Sequence, residues 1–354
     1  MIVCPFRDLV DSIEADKNNK YKTFKCYGGT KQYEYEKYIR ENKVRKIAVT
    51  YDSLPKLMRW MNDVNNYKLV VDEYHLILED IDYREDAIMG LIENVNKFTH
   101  YSFLSATPID DDLEITFFKM LPHYKVIWNN LTKIKILPYQ TSNTVRGVTN
   151  LIACFLQDGI IMPNKHGVET KVESLFIFLN SVTSIQQIVS TLELDPSMVK
   201  VSCADRLRNR ILVGKYEIEA ASTELAPNKK INFFTKKGFQ GCNMFTDNGL
   251  IIVASDGNRD STLVDISTTL EQIAGRLRDN KNYQNVFRNS LIHIYSKSNH
   301  MQTDEEFEKM MVDKANEGEL MIRGWGKMDD KERSVYSKNL KLDKQLVSIV
   351  NGKM

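Results

Sequence analysis

Cysteine is scarce in this chain of 354 residues, and its five examples (Cys4, Cys26, Cys154, Cys203 and Cys242) are odd in number, far apart and without a C-x-x-C pair. That pattern excludes a disulfide scaffold and carries no zinc or thioredoxin-type signature. It makes a reducing, cytoplasmic compartment the expectation. Long apolar runs are lacking too: Gly249 to Ala254 has the length of a core strand, well short of the roughly 18–20 residues that span a bilayer. Met1 to Cys4 leads straight into Pro5-Phe6-Arg7-Asp8, without the basic and apolar regions of a signal peptide. Nor is there charge of one sign. Lys and Arg number 48 against 47 Asp and Glu, a net +1, so a nucleic-acid partner has to be held by local grooves and not by an overall basic field.

What is present is an ordinary globular balance, 42% hydrophobic and 27% charged, over a length that suggests two domains. Ile2-Val3-Cys4 reads as the end of a buried strand and Phe6 to Ile13 as the helix that follows. Lys46–Thr50, Lys68–Val71 and Tyr101–Leu104 read as strands, separated by helical patterns over Lys31–Glu41, Leu54–Asn62 and Asp86–Asn96. A second series of strand-like runs covers Val172–Leu179, Met198–Ser202, Ile231–Phe234, Leu250–Ala254 and Leu291–Tyr295. Such alternation is the signature of α/β domains built on parallel sheets. The expected division is 1–140, 141–300 and a charged helical tail over 301–354 lying on the second domain. Pro138 and the polar run Gln140 to Thr144 mark the first boundary.

Three segments carry chemistry. Lys68-Leu-Val-Val-Asp72-Glu73-Tyr74-His75 places two acids at the carboxyl end of a strand, where ligands of open α/β sheets bind. One carboxylate can hold Mg²⁺ through its water shell and the next can accept a proton from an attacking water, although an Asp-Glu pair is also an ordinary solvated strand end. The next strand ends in Ser105-Ala106-Thr107-Pro108, with two hydroxyls able to relay hydrogen bonds. Far downstream, Gln272-Ile-Ala-Gly275-Arg276-Leu277-Arg278 offers a close-packed backbone and guanidinium groups suited to a transferring phosphoryl group. A salt-bridged surface helix has the same composition.

Taken in order, Asp-Glu-x-His, Ser-Ala-Thr and Gln-x-x-Gly-Arg-x-Arg resemble the motif set of the superfamily two DExH-box helicases and translocases. Weaker segments extend the resemblance to about Tyr295. Val3 to Arg7 is similar to motif Ia, Thr50 to Leu54 to motif Ib, Phe176 to Ser181 to motif IV, and Phe234 to Asn243 to motif V. The resemblance implies two tandem RecA-like (P-loop NTPase type) parallel-sheet domains, the first incomplete at its N-terminus, with ATP and Mg²⁺ as cofactors and single-stranded nucleic acid as partner. Residue by residue, it implies that Asp72 holds Mg²⁺ and Glu73 activates the lytic water. His75 would link the ATP site to the second domain through Gln272, and Arg276 or Arg278 would be the arginine finger. Ser105 and Thr107 would couple hydrolysis to movement, while Gly241, Asn243 and Gly275 would border the nucleotide. Pro5, Phe6, Thr50, Tyr51, Asn180, Ser181 and Thr235 would contact the strand. Asp-Glu-Tyr-His and the Gln-initiated last motif look closer to DNA helicases of phage, plasmid and origin-binding type than to the RNA-remodelling branch, so DNA replication in a bacterial or phage-infected cytoplasm is the expected setting.

Three departures stand beside that resemblance. G-x-x-x-x-G-K-[ST], the phosphate-cradling loop, does not occur in the sequence. Tyr27-Gly28-Gly29-Thr30-Lys31 has the wrong spacing and reads as a turn before a helix. Relatives carry the loop upstream of motif Ia, so either truncation, with a strand interior to the first sheet missing, or genuine loss of hydrolysis is expected. Asn243 stands where many relatives have Asp, and the two arginines are spaced more closely than usual. The isolated chain is expected to hydrolyse little ATP, and a catalytically silent nucleic-acid-binding module is the competing function. Tyr33, Tyr35 and Tyr38 are expected to pack, and Trp325 to anchor the tail on the second domain.

Overall fold

A computed structural model of the chain describes residues 1–15, 20–109, 114, 116–127, 133–239, 242–266, 268–299 and 303–339. Two compact units emerge, one formed by Met1–Pro108 with the residues after 300, the other by Ile109–His300. Among the described residues, no helix is long and apolar enough to cross a membrane.

The first unit runs β1 (Ile2–Cys4), α1 (Arg7–Ala15), β2 (Thr23–Cys26), α2 (Gln32–Glu41), β3 (Lys46–Thr50), α3 (Leu54–Met58), β4 (Lys68–Asp72), α4 (Leu76–Glu79), α5 (Ile81–Val95) and β5 (His100–Leu104). Its sheet has the order β2-β3-β1-β4-β5, all parallel. Val3, Ile47, Val49, Leu69 and Val71 are fully or almost fully buried, as strands covered on both faces by crossover helices must be. α5 lies close on α3. A side chain at Gly90 would put its Cβ 2.7 Å from the ring of Pro55, so glycine is what allows that approach. The five strands are contiguous, with β2 and β5 at the two edges among the described residues.

The second unit begins with α6 (Thr116–Lys119) and β6 (Lys135–Gln140), followed by α7 (Thr144–Gln157) and a small antiparallel pair, β7 (Ile161–Pro163) and β8 (Glu169–Lys171). Then come β9 (Ser174–Phe178), α8 (Val182–Thr191), β10 (Val199–Ser202), α9 (Leu207–Val213), β11 (Ile231–Phe234), β12 (Gly249–Asp256), α10 (Thr269–Ala274) and β13 (Ser290–Ser296). The order is β10-β11-β9-β12-β13-β6, again parallel. Phe234 stacks against Phe176 and Phe178 on one face of this sheet. Leu175, Ile177, Phe233 and Ile252 fill the other.

The unit boundary therefore differs from the expected 140. Lys135–Gln140 is a strand paired with β13, hidden in the sequence because Pro138 breaks the pattern at an edge position where its missing N–H costs nothing. The tail also differs. It contains α11 (Asp304–Lys327), a single helix of 24 residues, and α12 (Asp330–Asn339), and it groups with the first unit. Thr303 and Glu306 form a capping box at the start of α11, a strong helix start. Trp325 is buried and carries the Arg333 guanidinium over its ring.

Candidate active site and nucleic-acid interface

β4 ends at Asp72 and the chain turns sharply at Glu73, whose φ of 53° is a left-handed conformation that costs a non-glycine residue about 1 kcal/mol or more. Neighbouring groups hold it. The Tyr74 N–H donates to the Leu104 carbonyl at 3.1 Å, and the buried Tyr51 hydroxyl lies 2.5 Å from the Asp72 carbonyl and 3.2 Å from that of Glu73. Burial, reinforced by Asp72, keeps the Tyr51 hydroxyl protonated well above its ordinary range, so it remains a donor.

His75, 1% exposed, sets Nδ1 2.8 Å from Ser105 Oγ and 3.5 Å from Glu73 Oε2. A proton on Nδ1 suits both neighbours, because the ionised Glu73 carboxylate can only accept. Ser105 Oγ in turn accepts the Thr107 N–H at 3.0 Å. The structure thus brings Glu73, His75, Ser105 and Thr107 into one chain of contacts at the carboxyl ends of β4 and β5.

Asp72 has its pKa raised by burial, opposed by a hydrogen bond from the Glu73 backbone. A desolvated carboxylate of this kind gains from a nearby cation, which fits a role beside Mg²⁺. Among the described residues, no group of three or more His, Cys, Asp or Glu could hold a metal alone, and a single carboxylate acting through metal-bound water is the arrangement these residues suit. The phosphate side is different. The Gly28-Gly29 turn leads into α2, but the Lys31 N–H at the start of that helix already receives the Glu34 carboxylate at 2.6 Å. A carboxylate thus takes the place an anionic phosphate would need.

Motifs Ia and Ib converge on a residue that sequence reasoning passed over. At Arg84 α5 is kinked, with φ −132° and ψ 28°. The guanidinium donates to the Pro5 carbonyl at 2.9 Å and to Asp52 at 2.6 Å, and it stands over the rings of Phe6 and Tyr51. Pro5, Thr50 and Tyr51, residues of the segments expected to touch nucleic acid, have buried side chains. Phe6 is half-buried. Nothing in the sequence around Arg84 marks this role, since these partners come from two segments remote in the chain.

In the second unit, Asn180 and Ser181 follow β9. The Asn180 amide donates to the Ser261 carbonyl at 2.6 Å and its oxygen accepts the Lys236 N–H at 3.0 Å, while Ser181 caps α8 by accepting the Ser184 N–H. Both side chains are half-buried. Thr235 is buried and its hydroxyl donates to the Ser202 carbonyl. Gly241 lies outside the described residues. Asn243 is half-buried, and its carbonyl accepts the Thr223 N–H.

Gln272 and Arg276 are both buried. Arg276 donates to the Gln272 carbonyl at 2.7 Å, to its side-chain oxygen at 2.8 Å and to the Cys242 carbonyl at 3.3 Å, so its guanidinium ties α10 to the segment before it. Arg278 is exposed, with Nε 3.3 Å from the Gly275 carbonyl. Gly275 is exposed, and a Cβ there would meet nothing closer than 3.7 Å. The close-packing role expected of it is therefore not what this turn requires.

Residues 1–115 match the DEAD/DEAH box helicase family. Most of the chain shares a fold with a solved helicase: a variant of S. cerevisiae Dbp5 bound to RNA and ADP BeF3 superposes with a TM-score of 0.54 at 15% identity, covering 88% of this chain and 74% of that one. The Escherichia coli DEAH/RHA helicase HrpB gives 0.46 at 14% identity over 84% and 37% of the two chains, too low to carry a fold assignment. A comparison with curated protein sequences gives no match. The two parallel sheets are thus tandem RecA-like helicase domains, and the acidic turn at Asp72 lies inside the segment that matches the helicase family, whose members in general bind and hydrolyse ATP with Mg²⁺.

Proposed function

We propose that this chain is the two-domain core of an ATP-dependent DNA helicase or translocase working on single strands in the cytoplasm, in a replication-type setting of phage or bacterial kind. The observation that carries the reading is the joined set Asp72, Glu73, His75 and Ser105 at one sheet edge. ATP would supply the phosphoryl group and Mg²⁺ its charge neutralisation. Glu73, fixed by its turn, holds the proton taken from water, and His75 passes the state of that carboxylate to Ser105. Of the two candidate fingers, Arg278 is the one assigned to the phosphoryl group, because Arg276 is occupied as a structural tie. Phe6 and Asn180 with the neighbouring Lys236 and Lys237 are the side chains assigned to the strand.

A second reading, a silent nucleic-acid-binding module, is favoured by one observation: the only glycine turn at a helix start in the first domain, among the described residues, already holds a carboxylate. The DNA preference rests on the Asp-Glu-Tyr-His and Gln-initiated motifs. Its test is competition for the purified chain between single-stranded DNA and RNA of one sequence. The DNA oligonucleotide should displace labelled probe at a several-fold lower concentration, and equal or better displacement by RNA would overturn that preference.

A further inference from the structure

α11 is long for what it touches. Its 24 residues extend about 36 Å at 1.5 Å per residue, yet only Gly318 and Trp325 are buried, both in its second half. From Asp304 to Glu317 no residue is buried, and Met310 alone is half-buried. Such a helix has little of its own to hold it. Gly318 and Gly324 lie inside it, each costing roughly 0.5–1 kcal/mol against alanine, and helices in water take most of their stability from packing an apolar face. The capping box at Thr303 and the acids of the first turn fix where α11 starts without covering that face.

The face is there. Phe307, Met311, Ala315 and Ile322 follow one another at intervals of four, four and seven residues, which brings them to one side of the helix. All four are exposed, Phe307 at 52%, Met311 at 44% and Ile322 at 45%. The charges beside them are sorted along the axis. Asp304, Glu305, Glu306 and Glu308 crowd the amino end, whereas Arg323 and Lys327 stand near the carboxyl end, where Glu319 is the one acid from Gly318 onward. Over the whole helix acids outnumber bases seven to four, a balance that repels nucleic-acid phosphates and suits a protein partner.

We infer that this stripe is the contact surface for a second copy of the chain, the two α11 helices lying antiparallel about a two-fold axis near Ala315. Phe307 of one copy then lies opposite Ile322 of the other, and the acidic amino end of each runs along Arg323 and Lys327 of the other. A parallel pair sets four carboxylates against four, which the charge pattern opposes. A two-fold contact of one surface with itself closes and needs no third copy. Two helices meeting over about 22 Å bury less than the roughly 1,200–2,000 Å² of a stable interface, so the dimer is weak, with a Kd on the order of 10–100 µM. The contact needs neither nucleotide nor nucleic acid and stands apart from the proposed motor function.

Sedimentation velocity of the full 354-residue chain, at 50 mM salt and about 1 to 200 µM protein, tests it. A 41.0 kDa species at the low end should give way to one of twice that mass at the high end. Phe307→Asp with Met311→Asp, at exposed positions where Tm should not change, should raise the dimer Kd at least about tenfold. Glu305→Lys with Glu308→Lys should raise it about fivefold by setting like charge on Arg323 and Lys327, and adding Arg323→Glu with Lys327→Glu should restore it. A chain that stays monomeric throughout would overturn the inference, and protection of the first half of α11 from amide exchange in that monomer would assign the stripe to residues beyond Asn339. A dimer untouched by the Phe307 and Met311 substitutions would overturn it as well. Tightening by Glu305→Lys with Glu308→Lys, the response of a parallel pair, would overturn the antiparallel arrangement.

Discussion

The 354-residue chain alone should hydrolyse ATP at no more than about one thousandth of an ordinary enzymatic turnover of ~10 s⁻¹, with or without single-stranded DNA. Phosphoryl transfer leaves little covalent chemistry to a protein. Its contribution is to place positive charge and N–H donors where negative charge develops, and removal of one such donor typically costs about 10²–10³-fold. The acid side of the site is assembled, with Glu73 and His75 in contact. The donor side is not supplied by these residues, because no G-x-x-x-x-G-K-[ST] occurs in the sequence and the amide at the start of α2 binds Glu34. The check is steady-state phosphate release by the wild type and by Glu73→Gln side by side. Equal background rates are the expected outcome. A DNA-stimulated rate that Glu73→Gln abolishes would show that the chain assembles its own phosphate site.

The other large effect separates the two arginines of the last motif. Arg276→Ala should destabilise the second domain by about 3 kcal/mol, because it strands the side-chain oxygen of Gln272 and the carbonyls of Gln272 and Cys242 in a buried place and leaves a cavity. In a domain of this size that is a fall in Tm of roughly 6–12 °C. Arg278→Ala, at an exposed position, should stay within about 0.5 kcal/mol of wild type. Differential scanning calorimetry of both variants decides it. An Arg276→Ala protein as stable as wild type would mean that the three bonds to Gln272 and Cys242 do not hold that turn, and would return Arg276 to candidacy as the finger. Arg276→Lys should recover only part of the loss, since an ammonium cannot reach three acceptors in the plane of the guanidinium.

Much of this fold was legible because parallel sheets buried on both faces write continuous apolar runs into the sequence. Ile231–Phe234 was read with its observed limits, and Lys46–Thr50 likewise. β2 and β6 escaped for opposite reasons. Thr23-Phe-Lys-Cys26 is a short strand interrupted by a lysine paired with Asp11 and Glu14, and β6 contains Pro138. The acidic turn was legible as a strand end, since the apolar run from Lys68 to Val71 stops there. What the motif letters could not convey was orientation. Tyr51 and Thr235 occupy positions of nucleic-acid motifs yet turn inward, because the backbone conformation that presents one face of a loop hides the other. Arg84 was illegible in principle: beyond its local partner Asp80, its partners Pro5 and Asp52 become neighbours only once β1, β3 and β4 lie side by side.

The central claim is that these two domains form a strand-binding motor core, and equilibrium binding of a fluorescent single-stranded DNA 20-mer to the full 354-residue chain tests it most directly. With a net charge of only +1, attraction must come from local contacts with phosphates. The account predicts saturable binding at 50 mM salt that weakens by at least about tenfold at 200 mM as counterions are released, and a further loss in a Lys236→Glu, Lys237→Glu double variant that keeps the wild-type Tm. A chain that remains monomeric and folded but shows no binding at 50 mM salt and micromolar protein would contradict it.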